Sequence, residues 1–252
     1  MSKKKILLLQ IRPEEVASDN EFEAFVKFSG LKAENFQRVN LASPKGLEFI
    51  SNLKLNNYSA VIVGGGPACI SDDQSKKPAY QISFEPILLS LMAQILEDDF
   101  PFLGACYGIG LLAKSLNLPV SKEKYSEPVG AVEINLNPDL KDDKILADLD
   151  STFQAFVGHK EAVQAVDDRL EVLASSTTCP YQLLKFKSNI YATQFHPELD
   201  VEGLTTRIKV YKNAGYFPPE QAEELIEQAR QSDVHQAVKI LENFCRAYCP
   251  VV

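Results

Sequence analysis

Two short runs, far apart in the chain, carry residue types that together can perform acyl transfer. Gly104-Ala105-Cys106-Tyr107-Gly108 sets a cysteine between two glycines, and Gln194-Phe195-His196-Pro197-Glu198 sets an imidazole beside a carboxylate. A Gly-x-Cys-x-Gly run suits a nucleophile elbow, in which the chain leaves a strand, turns sharply and enters a helix while one side chain is pushed outward. Gly104 and Gly108 flank the turn where a Cβ would collide, and Cys106 takes the strained position between them. At a helix N-terminus, with an imidazolium nearby, oriented N–H groups favour thiolate, so Cys106 is expected to be usable near neutral pH. His196 would hold the thiol proton and return it to the leaving group, and Glu198 would fix the imidazole tautomer.

These motifs also have plainer readings. Cysteine is among the most buried residue types, and Cys106 alone would read as an inert core thiol. At average glycine usage the pattern arises by chance in roughly a few per cent of chains of this size. Context separates the readings: Phe100 to Ala105 reads as a short buried strand, and Gly110 to Leu116 reads as a helix. The catalytic candidates are therefore Cys106, His196 and Glu198.

Those side chains need a scaffold, and the elements along the chain describe one. Lys5 to Ile11 is an almost unbroken apolar run, as expected of a central parallel strand covered on both faces. Arg12 to Asn20 reads as loop, and Asp19 as the cap of a helix through Ser29 with Phe22, Phe25, Val26 and Phe28 toward the core. Strands are expected at Phe36 to Leu41 and Ser59 to Gly64, and a long loop at Gly65 to Pro78. Ile87 to Leu96 reads as a helix with Pro86 in its first turn. Beyond the elbow, strands are expected near Val129 to Leu136, Phe153 to Val157, Leu170 to Ala174, Tyr181 to Phe186 and Ile190 to Phe195. The last carries His196 and Glu198 out at its C-terminal end, the same edge from which Cys106 emerges and where open α/β folds bind ligands.

From Asp200 onward the pattern turns helical. Asp233 to Tyr248 spaces Val234, Val238, Leu241, Cys245 and Tyr248 as one stripe, expected to pack back on the sheet, with a partner surface as the alternative. The fold class is therefore α/β, with an open, mostly parallel sheet between two helical layers. It forms a single domain with its core at about 4–199 and a helical extension at about 200–252.

At the residues quoted, the chain resembles the class I (triad) glutamine amidotransferases, most closely the free-standing proteins related to the glutaminase domain of GMP synthase. A third element supports this: Ser59-Ala60-Val61-Ile62-Val63-Gly64-Gly65-Gly66-Pro67 matches the family's glycine-rich turn after an earlier strand. The resemblance runs from about Lys4 to about Leu199. It implies a flavodoxin-like sheet, a triad of Cys106, His196 and Glu198, and an oxyanion hole and substrate site formed by the N–H groups of Gly66 and Tyr107. One departure matters. Relatives that hydrolyse glutamine usually carry Gln four residues after the nucleophile, where it helps hold the substrate, and this chain has Gly110. His159 and Glu161 fall in the segment that resembles the rim of the site, and neither is taken as catalytic.

Composition bounds the partners. A chain of 252 residues with 45% apolar content supports a packed core, and a net charge of −8 speaks against nucleic-acid backbone or anionic membrane as a partner. No run approaches a signal-peptide core or a membrane span, so a cytoplasmic protein is expected. The five cysteines form no Cys-x-x-Cys pair. Cys69, Cys179, Cys245 and Cys249 read as core or half-exposed thiols, His235 as solvated, and no metal or cofactor is expected. Three functions follow: a cysteine amidohydrolase releasing ammonia from glutamine to an acceptor site on a partner synthetase; a peptidase of γ-glutamyl peptides or conjugates; or a catalytically idle protein that binds and regulates a synthetase.

Overall fold

The computed structural model describes residues 4–140 and 142–249. Elements are numbered in chain order. Five strands run parallel: β1 (Lys5–Gln10), β2 (Phe36–Asn40), β3 (Tyr58–Val63), β4 (Phe102–Ala105) and β11 (Ile190–Thr193). Four antiparallel strands extend one edge: β6 (Glu127–Leu136), β7 (Thr152–His159), β9 (Leu170–Ser175) and β10 (Leu183–Phe186). The sheet order is β2-β1-β3-β4-β11-β10-β9-β6-β7, and β5 (Val120–Ser121) pairs separately with β8 (Ala162–Val163). The helices are α1 (Glu15–Phe28), α2 (Pro44–Ser51), α3 (Ala79–Asp98), α4 (Tyr107–Ser115), α5 (Val201–Val210), α6 (Ala222–Arg230) and α7 (His235–Tyr248).

The unbroken apolar strands are explained by burial on both faces. Alternate residues Leu7, Leu9, Val61 and Val63 pack with Ile50 of α2, Leu88 and Met92 of α3, and Leu111 and Leu112 of α4. The residues between them, Ile6, Leu8, Ala60 and Ile62, pack with Phe25 of α1 and Ile240, Leu241 and Phe244 of α7. Helix α7 thus covers the sheet, as its stripe suggested, but the buried face centres on Ala237, Ile240, Leu241, Phe244 and Cys245, and Val238 and Tyr248 lie half-buried at its margin. A satellite cluster joins Leu204 and Ile208 of α5 and Ala222, Ile226 and Ala229 of α6 to Phe156 of β7.

Three expectations are corrected. Helix α1 begins at Glu15, so Asp19 lies inside it and pairs with Arg38 instead of capping. Its first core-facing positions are the small Ala17 and Ser18, which hide the helical period from a search for large apolar residues. Helix α3 begins at Ala79, leaving Pro86 in its interior. Proline deprives the Ile82 carbonyl of its partner, and Ile82 stands at the surface, where water can serve. Finally, α3 has 20 residues and mean hydropathy 1.2, long and apolar enough to cross a bilayer by length and composition. Here one of its faces, through Phe84, Leu88, Leu91, Met92 and Ile95, is packed in the core.

Candidate active site

Strand β4 ends at Ala105 and α4 begins at Tyr107, so the turn between them consists of Cys106 alone. Cys106 adopts φ 53° and ψ −87°, a region that a residue with a Cβ enters only at a cost of about 1–3 kcal/mol. Close approach of helix to strand forces it: a Cβ on Gly104 would lie 2.8 Å from the backbone of Gly108. The Cys106 N–H is committed to the Thr193 carbonyl of β11 at 2.8 Å, which ties the elbow to the strand leading to His196. Tyr107, as first residue of α4, has an N–H with no acceptor inside its helix.

Three successive glycines follow β3, and each is required by a different neighbour. A Cβ on Gly64 would fall 2.7 Å from a carboxylate oxygen of Glu21, one on Gly65 would fall 2.5 Å from Cε1 of His196, and one on Gly66 would fall 2.7 Å from Ile11. Gly65 also measures the site. Cβ of Cys106 lies 3.3 Å from that same virtual atom, so thiol and imidazole flank one backbone position. Cys106, His196 and Gly66 line a single cavity with about 480 Å³ of atom-free space, solvent mouth included. The sequence-selected residues Cys106, His196, Gly66 and Tyr107 therefore assemble at one edge of the sheet.

Glu198 is buried, and its Oε1 accepts from His196 Nδ1 at 2.9 Å. Arg207 of α5 donates from Nη2 to the same oxygen at 2.8 Å, and its Nη1 stands 3.0 Å from His196 Nδ1. Glu21 of α1 lies 3.8 Å beyond Arg207 and accepts from Arg12 Nε at 2.8 Å. Two guanidiniums and two carboxylates thus alternate in a buried chain behind the imidazole. Sequence reading missed Arg12, Glu21 and Arg207. The signal was a charged residue at core spacing: Arg207 sits among Leu204 and Ile208 on the buried face of α5, and Glu21 among Ala17, Ala24 and Phe25 on that of α1.

Burial works against the Glu198 carboxylate, but His196 and Arg207 outweigh it and hold its pKa well below the usual range. Burial also lowers the His196 pKa, Glu198 opposes, and Arg207 lowers it further, so the ring is neutral at neutral pH. Burial pushes the Cys106 thiol up to about 12, against the pull of Arg12, and Glu161 and Glu198 raise it further. The expectation of a resting thiolate is corrected accordingly: enclosure outweighs the favourable field of the helix end, and the resting pair is thiol and neutral imidazole.

His159 and Glu161 lie at the turn after β7. His159 Nδ1 donates to the Glu161 carbonyl at 2.9 Å and Nε2 faces the buried carboxylate of Glu127 at 2.8 Å, so the ring braces the turn. Cys69, Cys179, Cys245 and Cys249 are buried free thiols, and His235 is exposed beside Asp233.

A thiol, an imidazole and a buried carboxylate at the C-terminal edge of a flavodoxin-like sheet define an α/β protein built on a nucleophile elbow. The chain belongs to the class I glutamine amidotransferase family, whose model, Glutamine amidotransferase class-I, matches residues 34–208. It is 30% identical over 185 residues to "GMP synthase [glutamine-hydrolyzing]" of Thermomicrobium roseum, covering 71% of this chain and 31% of that protein. It is 31% identical over 160 residues to one of the subunits of the glutamine-hydrolyzing GMP synthase of Sulfurisphaera tokodaii, covering 63% of this chain and 76% of that relative. The chain thus spans less than a third of the first relative but about three quarters of the second. Among solved structures it is similar in fold to a glutamine amidotransferase from Thermotoga maritima, with TM-score 0.72, 22% identity and coverage of 98% and 99% of the two chains.

Proposed function

We propose that this chain hydrolyses the side-chain amide of glutamine through a γ-glutamyl thioester, releasing ammonia. The observation that carries the reading is the placement of Cys106, on a positive-φ elbow, against the same backbone position as His196, whose far nitrogen is bonded to Glu198. With its proton on Nδ1 toward Glu198, the ring offers the Nε2 lone pair to the thiol. Cys106 Sγ attacks the amide carbonyl as its proton passes to His196, and the N–H groups of Gly66 and Tyr107 receive the oxyanion. Collapse of the tetrahedral intermediate expels ammonia, protonated by His196. Water, deprotonated by His196, then cleaves the thioester to glutamate and restores the thiol.

The ammonia needs an acceptor. Similarity to a protein that is one of the subunits of a GMP synthase supports a partner synthetase that supplies it. The test is ammonia release from glutamine by the purified chain, alone and with an added synthetase partner, together with mass detection of an acid-quenched adduct on Cys106. Cys106→Ala is expected to abolish both signals. Turnover unchanged in that variant overturns the reading.

A second reading is favoured by the cavity walls. Val129, Val157, Leu204, Ile208 and Phe217 give the space beside His196 an apolar lining that ammonia would not use, which suits a γ-glutamyl amide carrying an organic amine. Amine release from γ-glutamyl dipeptides exceeding ammonia release from glutamine supports this reading over the first.

A further inference from the structure

Arg12 carries a hydrogen-bonding edge that the mechanism above leaves unused. It follows β1 and is 3% exposed, and its guanidinium is fixed from several sides. Nε donates to Glu21 at 2.8 Å, Nη1 donates to the Tyr211 hydroxyl at 3.2 Å, and the group lies 5.6 Å from the centre of the Tyr211 ring. Nη2 donates to nothing among the described residues. It stands 3.3 Å from the point where a Cβ on Gly65 would be, the same point that Cys106 Cβ approaches to 3.3 Å and His196 Cε1 to 2.5 Å. A rigid, buried cation therefore keeps an unpaired nitrogen beside the reacting pair. Pairing with Glu21 accounts for Nε, but not for a donor left without an acceptor in the wall of the cavity.

Proton transfer decides which part of a substrate meets that edge. His196 protonates the departing nitrogen, so whatever that nitrogen carries must lie on the His196 side of the scissile bond, in the cavity that His196 and Arg12 both line. Val129, Val157, Leu204, Ile208 and Phe217 make the neighbouring wall apolar. A guanidinium edge suits a carboxylate, and apolar walls suit hydrocarbon. An α-amino acid joined through its nitrogen offers both: its carboxylate is one carbon removed from the scissile nitrogen, within reach of a donor beside His196, and its side chain projects from that same carbon. A simple amine offers only the hydrocarbon, and ammonia offers neither.

We propose that Arg12 is a specificity residue that receives the α-carboxylate of the leaving group, and that the chain accordingly cleaves γ-glutamyl dipeptides whose second residue is an apolar amino acid. The proposal rests on the second reading above and narrows its leaving group from an organic amine to an α-amino acid. The amide C–N bond breaks as in the mechanism already given, with the amino acid taking the proton from His196 and leaving in place of ammonia, and water then releasing glutamate from the thioester. A carboxylate seated on Arg12 also lies beside the imidazolium that forms when Cys106 gives up its proton, which favours that transfer.

The test compares γ-glutamyl-leucine with γ-glutamyl-isoamylamide, the same molecule lacking the leucine carboxylate. In the wild-type chain kcat/KM for amine release is expected to favour the dipeptide by about tenfold to about a hundredfold, the range for a hydrogen bond to a charged group. Arg12→Met is expected to erase the preference by losing dipeptide activity, and Arg12→Lys to retain part of it. A variant that merely disturbs Glu21 or the thiol lowers both substrates together and keeps their ratio. Equal use of the two substrates by the wild type, which needs no variant to fold, overturns the proposal while the peptidase reading stands, as does a preference that survives in Arg12→Met. If neither compound is cleaved the peptidase reading fails, and Arg12 is then judged by protection of Cys106 from iodoacetamide: stronger protection by γ-glutamyl-leucine than by the isoamylamide supports the carboxylate site, and equal protection overturns it.

Discussion

Replacing Arg207 by Met tests whether the buried charges behind the imidazole set its proton affinity. Arg207 is 6% exposed and touches Glu198 and the imidazole at once. A unit charge at contact with a protonated ring disfavours it by about 1 kcal/mol if water screens the pair, and by about 4 kcal/mol at the effective dielectric of a protein site. At 1.36 kcal/mol per pH unit that is roughly one to three units. Removing Arg207 also frees the full charge of Glu198 to attract the imidazolium, and both effects raise the His196 pKa. The mechanism needs neutral His196, so the acid limb of kcat/KM for ammonia release should move to higher pH in Arg207→Met. Arg207→Lys, which keeps a charge, should move it less. Truncating one partner of a buried pair also costs about 3–5 kcal/mol of stability, so the profiles are to be recorded below the onset of unfolding. An acid limb that stays in place or moves to lower pH in a folded variant refutes the reasoning.

Other consequences are equally direct. Gly65→Ala puts a methyl 2.5 Å from His196 Cε1, and the ring must move. Activity should fall by about a hundredfold, the scale for an ångström of misplacement, while thermal melting shifts by only a few degrees. Normal turnover would show that His196 does not act from its observed position. Because burial holds the Cys106 thiol neutral, its alkylation by iodoacetamide in the absence of substrate should keep accelerating as pH rises beyond 9.0, the ordinary thiol value. A plateau near neutral pH would reveal a resting thiolate.

The legible parts of this molecule were those whose physics is local in sequence. Parallel strands buried on both faces betray themselves as apolar runs, and an elbow betrays itself by glycines that only close packing demands; Gly104 against Gly108 is such a contact within a few residues. Helix boundaries were harder where the first turn packs small residues, as with Ala17 and Ser18, or where a proline is tolerated because its orphaned carbonyl faces solvent, as at Ile82. The chain from Arg12 through Glu21 and Arg207 to Glu198 was invisible because it brings together α1, α5 and the turns after β1 and β11, and nothing local tells a buried charged residue from a solvated one until its partner is placed. Glu161 was noticed but left aside for the same reason: its N–H partners lie on a loop far upstream.

The charges around the site divide into two groups with opposite duties. Behind His196, carboxylates and guanidiniums alternate so that each desolvated charge has a partner, and the array can hold the imidazole still without reorganising when it gains a proton. Glu161 has backbone hydrogen bonds but no ion-pair partner among the described residues, and its field adds to the enclosure that keeps the Cys106 thiol protonated. A nucleophile that rests as a thiol is less exposed to adventitious alkylation and oxidation, which require the thiolate.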